Sequence, residues 1–254
     1  MIHLSKQNVA DFAHLGWLAV PQLAAEAEVE ALLAQARQEI ARAPLELERE
    51  VGYPGAPRSE AARGADTPRR LLGAYRRGGA LARWGERPVP LLRQLLNSEA
   101  IWLSQAHHNC VMTKYPEYSS DTLWHQDIRF WSFDPPRLVN CWLALGLERA
   151  ENGGLMVIEG SHRWDLSPER LDSGRFLKPD HPENAAAIAE ARQVDLNPGD
   201  ALFFDAAVFH AASRNHTSQV KRSVVYSYHG AGVHPRPGTR SSALEEIAFD
   251  PATG

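Results

Sequence analysis

The stretch Trp124-His125-Gln126-Asp127 places a histidine and an aspartate two residues apart near the middle of the chain. On an extended strand, side chains two residues apart project to the same side, so His125 and Asp127 can reach one metal ion together. A second histidine, His210, follows an apolar stretch much later in the chain. Two histidines and one carboxylate would hold one face of a metal ion and leave other positions open, as non-haem iron(II) oxygenases require.

The chain from about residue 106 onward has the rhythm of short strands separated by turn signals. Within 138–145, apolar residues alternate with Asn140, Trp142 and Ala144, which predicts an apolar outer face and a mixed inner face. Such strands suit a barrel that encloses a site, and they predict a mainly β protein built as a two-sheet, cupin-like jelly roll with flanking helices. The candidate strands are 109–114, 138–145, 155–158, 201–204 and 223–228.

The first 105 or so residues look mostly helical or irregular, with predicted helices over 21–43 and 88–103. Between these helices the sequence is rich in arginine and poor in acidic residues. A loop over a site for an anionic substrate and a solvated charged surface are both open interpretations. The arginines are Arg58, Arg63, Arg69, Arg70, Arg76, Arg77, Arg83 and Arg87.

The composition indicates an ordinary globular chain, with 44% hydrophobic and 23% charged residues among 254. We expect a single domain over 1–254, with a helical N-terminal part to about 105, a jelly-roll core over about 106–230 and a C-terminal tail over 231–254.

Three features of the sequence indicate which partners and which cellular compartment to expect. They are the net charge, the two cysteines and the length of the apolar runs. A net charge of −4 gives no broad electrostatic case for nucleic acid. The start of the chain lacks a signal pattern and no apolar run is long enough to span a bilayer, so we expect a cytoplasmic protein without membrane or nucleic-acid partners. Cys110 and Cys141 are predicted to be buried, free thiols. The sequence carries no signal for an oligomeric state.

Several motifs occur in a fixed order around the stretch Trp124-His125-Gln126-Asp127, and together they resemble the phytanoyl-CoA dioxygenase family over roughly residues 10–230. They are Phe12 with Gly16-Trp17-Leu18-Ala19-Val20, Trp124-His125-Gln126-Asp127, Glu151-Asn152-Gly153-Gly154-Leu155, Ile158-Glu159-Gly160-Ser161-His162, Asn197-Pro198-Gly199-Asp200 and His210. The resemblance implies a double-stranded β-helix and an enzyme that uses iron(II), 2-oxoglutarate and O2. It implies that His125, Asp127 and His210 are the catalytic metal ligands, and that a small molecule is hydroxylated with release of succinate and CO2.

The resemblance also implies residues for the cosubstrate. Arg222 is the predicted partner of the 5-carboxylate of 2-oxoglutarate, since a guanidinium binds a carboxylate through two hydrogen bonds. Family members usually carry this arginine about 11 residues after the distal histidine, where this chain has Lys221. Strand alternation allows only one of the two to face inward. Trp142 and His108 match positions that lie beside the cosubstrate in the family, with His107 and Asn109 as alternatives to His108. Gln126 matches the family's glutamine between the ligands and would contact the cosubstrate if the strand ends there.

Residues that follow the metal pair are candidates for the substrate pocket. Arg129, Trp131 and Phe133 would suit a small molecule with a carboxylate or a flat ring, free or bound to a carrier. Related halogenases have a small residue in the place of Asp127, so the carboxylate favours hydroxylation, while desaturation and ring formation stay open. Two other classes also stay open: a protein that binds metal or ligand without turnover, and a non-oxidative metal enzyme on the same barrel.

Overall fold

The structure is a computed structural model that describes residues 3–51, 64–116 and 118–249; Arg58 and Arg63 lie outside these residues. Helices α1 to α5 span Lys6–Leu15, Glu26–Ala41, Gly79–Glu86, Val89–Leu96 and Pro182–Ala189. Strands β1 to β15 span Trp17–Val20, Leu47–Arg49, Pro68–Leu72, Ile101–Leu103, Asn109–Lys114, Thr122–His125, Phe133–Asp134, Val139–Ala144, Leu155–Val157, Arg192–Gln193, Ala201–Asp205, His210–Ala212, Lys221–Gly230, His234–Pro235 and Ile247–Phe249.

Two antiparallel sheets form the core of the described chain. The larger sheet has the strand order β1-β11-β8-β13-β5-β3-β2, and β4 joins it by pairing with β13 and β15. The smaller sheet has the order β10-β9-β12-β6. Apolar side chains of both sheets, among them Trp142 of β8 and Val157 of β9, form one buried cluster between them. The predicted jelly-roll core is confirmed.

Strand β8 shows how alternation divides the core into two compartments. Val139, Cys141 and Leu143 belong to the cluster that α2, α3 and α4 cover on the outer face of the larger sheet. Trp142 belongs to the cluster between the sheets, and Asn140 points into the same space. The predicted apolar outer face and mixed inner face are therefore confirmed.

Strand β13 follows the same rule at the centre of the larger sheet, between β8 and β5. Its outer residues Tyr226 and Tyr228 donate hydrogen bonds to the backbone oxygens of Leu81 and Gly85 in α3, over 2.9 and 2.8 Å. These bonds satisfy two buried hydroxyls and tie the helix to the sheet. The inner residues of the strand where it faces β5 and β8 are Lys221, Ser223, Val225 and Ser227.

The N-terminal part is less helical than predicted. Strands β1 to β4 lie within it and join the larger sheet; β1, for example, pairs with β11 and covers what would otherwise be its free edge. The helix predicted over 88–103 ends at Leu96, because Asn97 adopts a left-handed conformation with φ 48°. Residues beyond this cap return to the sheet as β4, so the second half of that helix prediction was wrong.

The segment after β13, expected as a tail, folds back onto the core. Strand β15 pairs with β4, and Ser241 is completely buried. The Ser241 hydroxyl accepts a hydrogen bond from the backbone N–H of Ser132 at 2.8 Å and lies 2.7 Å from Nε2 of His107. The segment therefore forms part of the wall around the space between the sheets.

The cysteines and the helices bear on two expectations drawn from the composition. Cys110 and Cys141 are both free and buried, as predicted. Within the described ranges, no helix combines the length and the apolar character needed to cross a membrane.

The outer face of β8 offers a matched test of this architecture. Leu143 is fully buried, whereas Leu147 is 56% exposed. We expect Leu143→Ala to lower the free energy of unfolding by about 2–5 kcal/mol, because it opens a cavity under the helices. Leu147→Ala should change it by less than about 0.5 kcal/mol. Urea denaturation of both variants measures the difference, and equal effects would contradict the assigned faces.

Candidate metal centre

The two histidines of the predicted triad lie side by side on neighbouring strands. His125 ends β6, and its direct partner across the ladder is His210, the first residue of β12. Their ring centroids are 4.3 Å apart. The register of the smaller sheet therefore brings together two residues that are far apart in sequence.

Asp127 joins the histidines although it lies beyond the end of β6. It is the first residue of a 3-10 helix over Asp127–Phe130, and Gln126 before it is still extended, with φ −102° and ψ 139°. Because Gln126 is extended, Asp127 projects to the same side as His125, as the sequence predicted. One ligand atom each from His125, Asp127 and His210 lie within 4.8 Å of one another, so the structure brings the predicted triad together.

Backbone oxygens set the orientation of both imidazole rings. Nδ1 of His125 lies 2.7 Å from the carbonyl oxygen of Leu123, and Nδ1 of His210 lies 3.0 Å from that of Val208. Nδ1 is thus the protonated nitrogen in each ring, which leaves the lone pair of Nε2 for a metal. Both Nε2 atoms face the Asp127 carboxylate, at 3.4 and 3.6 Å. This donor set fits a divalent metal that prefers imidazole and carboxylate ligands.

The carboxylate of Asp127 is held by a buried polar chain. Asn140 donates a hydrogen bond to Oδ2 over 2.7 Å, and the Ser227 hydroxyl donates in turn to the side-chain oxygen of Asn140. His108 donates to Oδ1 over 2.9 Å. These contacts fix the direction in which the carboxylate presents its remaining lone pairs.

Charge keeps this carboxylate ionised. Burial opposes ionisation of Asp127, but the positive charge of His108 and the hydrogen bonds from His108 and His125 hold its pKa well below the usual value. Burial likewise lowers the pKa of His108, yet the charge and the hydrogen bond of Asp127 outweigh it and raise that pKa to about 10. Burial lowers the pKa of His210 to about 4, against the opposing charge of Asp127. His210 is therefore a neutral ring at physiological pH, as a metal ligand must be.

Lys221, rather than Arg222, faces the pocket. Lys221 is buried and lines it, and its ammonium donates to Glu148 over 3.0 Å and lies 4.8 Å from the Trp142 ring centroid. Arg222 shares the outer parity of β13 with Val224, which packs under the helices. The Arg222 side chain is not among the residues that line the pocket. The expectation that Arg222 points at the cosubstrate disagrees with this placement, because the inward parity of the strand falls on its neighbour.

The other predicted cosubstrate residues line the pocket, each with a protein partner. Trp142 donates its indole N–H to Glu148, at 3.0 and 3.1 Å from the two carboxylate oxygens. Gln126 donates its amide to the carbonyl oxygen of Ala207 over 2.6 Å. His108 contacts Asp127, as described above. All three face the pocket beside the metal ligands.

The substrate candidates divide between the pocket mouth and the core. Arg129 and Trp131 line the mouth, and the Arg129 guanidinium lies 4.1 Å from the Phe176 ring centroid. Phe133 is 2% exposed and packs with Leu138 and other apolar residues in a small separate cluster. The structure therefore contradicts a pocket-lining role for Phe133. Its strand β7 pairs with β14, and its ring lies behind the pocket-lining His107, with the two ring centroids 5.8 Å apart.

Several pocket residues were missed by the sequence analysis. Lys114 shares the inward face of β5 with Cys110 and Met112, so alternation in that strand could have identified it. Glu148 and Arg240 carry no local signal, since only the tertiary fold brings them to the site. Of the arginine-rich stretch, Arg69 and Arg70 line the pocket, while others pair with acidic residues elsewhere. These pairs are Arg76 with Glu46, Arg77 with Glu39 and Arg87 with Glu28.

The fold and the donor set define a jelly-roll protein with a candidate site for a metal bound by two histidines and a carboxylate. The sequence profile of the phytanoyl-CoA dioxygenase family matches residues 12–223. The chain belongs to this family.

Individual relatives share 30% or less of their sequence with this chain over the matched residues in the two examples that follow. The dioxygenase cdmD of Talaromyces verruculosus is 30% identical over 102 residues, which is 40% of this chain and 29% of that protein. The peroxisomal phytanoyl-CoA dioxygenase of Homo sapiens is 26% identical over 140 residues, 51% of this chain and 40% of that protein. The chain thus matches less than half the length of either relative.

A solved structure shows the same fold. The epimerase SnoN, in complex with Fe3+, alpha ketoglutarate and nogalamycin RO, superposes with a TM-score of 0.72 at 21% identity, over 98% of this chain and 95% of that one.

The contact of Asn140 with Asp127 is testable. We expect Asn140→Ala to weaken divalent metal binding about 10–100-fold, because the carboxylate loses the partner that orients it. Asn8→Ala, which changes only the cap of α1, is the matched control and should bind metal like the wild type. Titration with Co(II), followed by its visible absorption, gives both affinities. Equal affinities in the two variants would show that Asn140 does not orient the ligand.

Proposed function

We propose that the chain is an iron(II)- and 2-oxoglutarate-dependent dioxygenase that hydroxylates a small molecule. The convergence of His125, Asp127 and His210, with both Nε2 atoms directed at one carboxylate, is the observation that carries the proposal. Family membership supports it, and so does the complex of SnoN with Fe3+ and alpha ketoglutarate. The free, buried thiols Cys110 and Cys141 support a reducing compartment, for which we propose the cytoplasm.

The protein's own groups have defined tasks in this function. The triad would hold iron(II), which when bound with 2-oxoglutarate and O2 supplies the oxidising power for attack on a C–H bond. Asn140 and His108 hold the carboxylate ligand in place. The sheets exclude water on the side away from the mouth, and the cationic inner end of the pocket offers a place for an anionic cosubstrate.

The size of the pocket limits how much of a substrate can enter it. Its volume is about 210 Å³, below the range of roughly 300–1,000 Å³ that is typical of drug-sized ligands. The interior therefore suits the cosubstrate and the reacting end of a substrate, while the remainder of a larger substrate would lie at the mouth.

The mouth favours an anionic substrate with an apolar part. Phe130, 61% exposed, and Leu123, 41% exposed, provide apolar surface. Arg129 and Arg240 are the cations that line this part of the pocket. We infer that a carboxylate or phosphate of the substrate, free or on a carrier, binds at these arginines.

Anaerobic titration of iron(II) and 2-oxoglutarate tests the cofactor assignment. We expect a weak visible charge-transfer band in the wild type, because the cosubstrate chelates iron held by the triad. The band should be absent in His125→Ala and Asp127→Ala and present in His234→Ala, which changes an exposed histidine. Under O2, the wild type should form succinate. Normal iron binding without the band or succinate would overturn the proposal in favour of a non-oxidative metal protein.

Substrate charge is tested by pairing each candidate acid with its neutral amide. We expect the wild type to couple succinate formation to the acids more than to the amides, and Arg240→Ala to raise KM for the acids about tenfold. Arg236→Ala is the matched control, since that exposed arginine approaches Asp134 at 3.8 Å. If amides and acids stimulate succinate formation equally, the substrate is not recognised by its charge.

A further inference from the structure

We propose that two lysines, the buried Lys221 and the half-buried Lys114, bind the distal carboxylate of the cosubstrate, and that Glu148 is the fixed counter-ion that orients Lys221. This assignment rests on the proposed function, and it gives to lysines the binding of the distal carboxylate, for which the family resemblance implies an arginine. It concerns the inner end of the pocket, between β5 and β13, on the side away from the mouth.

Backbone alternation places both lysines in the same space. Lys221 is the first residue of β13 and pairs directly with Lys114, the last residue of β5. Each lines the pocket on the face that β5 and β13 turn toward the smaller sheet. A carboxylate between them would meet an ammonium group from each of two adjacent strands.

The hydrogen bonds of Lys221 leave room for a ligand. Its ammonium donates to Glu148 over 3.0 Å and, weakly, to the Ser223 hydroxyl over 3.4 Å. Because an ammonium has three N–H groups, one stays available for an anion, as far as the described residues show. Glu148 also accepts from Trp142 and from Ser223, which anchors the counter-ion on three sides.

Lys114 is held by backbone oxygens rather than by an acid. It donates to the carbonyl oxygens of Ser120 at 2.9 Å and of Ser213 at 2.5 Å, with a longer contact to that of Ala212 at 3.4 Å. Within the described chain, no carboxylate forms an ion pair with it. The long contact to Ala212 is the one that a ligand carboxylate would replace.

Among the described residues, the ion pairs at the inner end leave Lys114 without a carboxylate partner. Arg69 approaches Glu50 at 3.7 Å, and Lys221 pairs with Glu148. One further carboxylate would give Lys114 such a partner. The distal carboxylate of 2-oxoglutarate would be this partner, while its other end would be used at the metal.

The pKa of Lys114 is lowered, as expected for a lysine that is shielded from water and lies near other cations. Burial lowers it to about 7, with further lowering by the positive charge of Lys221 and Arg69, against the smaller opposing influence of Glu50 and Asp121. A bound carboxylate would raise this pKa again. Binding above pH 7 must therefore take up a proton, and the affinity for a dicarboxylate should fall as the pH rises.

Two 2-oxo acids that differ only at the distal end provide the test. Calorimetry on the full chain loaded with Mn(II) gives dissociation constants for 2-oxoglutarate and for 2-oxopentanoate, which lacks the distal carboxylate. We expect the wild type to prefer 2-oxoglutarate at least about 30-fold. The preference should be largely lost in Lys114→Met and Lys114→Gln, while 2-oxopentanoate binding changes less than about threefold.

The test of Lys221 must avoid an unpaired buried carboxylate. The double variant Lys221→Met with Glu148→Gln removes both charges and is compared with Glu148→Gln alone. We expect Glu148→Gln to weaken the preference in part, because Lys221 loses its counter-ion but keeps a hydrogen-bond acceptor, and the double variant to lose the preference. Lys221→Arg should retain it, and Arg222→Met, on the outer face of the strand, is the control that should match the wild type.

The pH supplies a readout that a merely structural lysine would not change. We expect the wild type to bind 2-oxoglutarate about tenfold more weakly at pH 8.5 than at pH 6.5, with most of this difference lost in Lys114→Met. A preference that survives in the lysine variants, or that disappears in Arg222→Met, overturns the inference and leaves the proposed function standing. Failure of both 2-oxo acids to bind the wild type would refute the proposed function as well.

Discussion

The pairing of β6 with β12 is the interaction on which the candidate site depends. It sets His125 opposite His210 and leaves the extended residue Gln126 to carry Asp127 to the same point. A shift of one residue in this register would turn one imidazole to the other face of the sheet, and the ligand set would be lost. The backbone oxygens of Leu123 and Val208 then select the nitrogen that each ring presents.

The larger sheet supports the site by supplying the polar residues that hold Asp127. Its central strands β8 and β13 are largely buried on both faces, so outward apolar residues pack under helices and inward residues face the space between the two sheets. That division explains why polar residues such as Asn140 and Ser227 occur in otherwise apolar strands. They form the hydrogen-bonded chain that reaches Asp127.

Charge is arranged in two zones along the pocket. The metal centre has its own carboxylate, and the inner end has buried cations that are partly neutralised by Glu50 and Glu148. Buried ions are costly unless they are paired, so the remaining positive charge of Lys114 is a feature that stability alone does not favour. A ligand with two carboxylate-bearing ends would satisfy both zones at once.

Most strands of the larger sheet, the two faces of β8 and the pair His125 and Asp127 could be predicted from the sequence, because alternation and close ligand spacing are local properties. His210 could be named as a candidate, but its contact with that pair depends on the fold. The sequence also limited the inward cation to Lys221 or Arg222. The choice between them depends on the register of β13 against β5 and β8, which the folded sheet sets. Tertiary packing also moved Phe133 into the core and brought Glu148 and Arg240 to the pocket. Their positions follow from strand pairing and chain reversal over long distances, which no local pattern encodes.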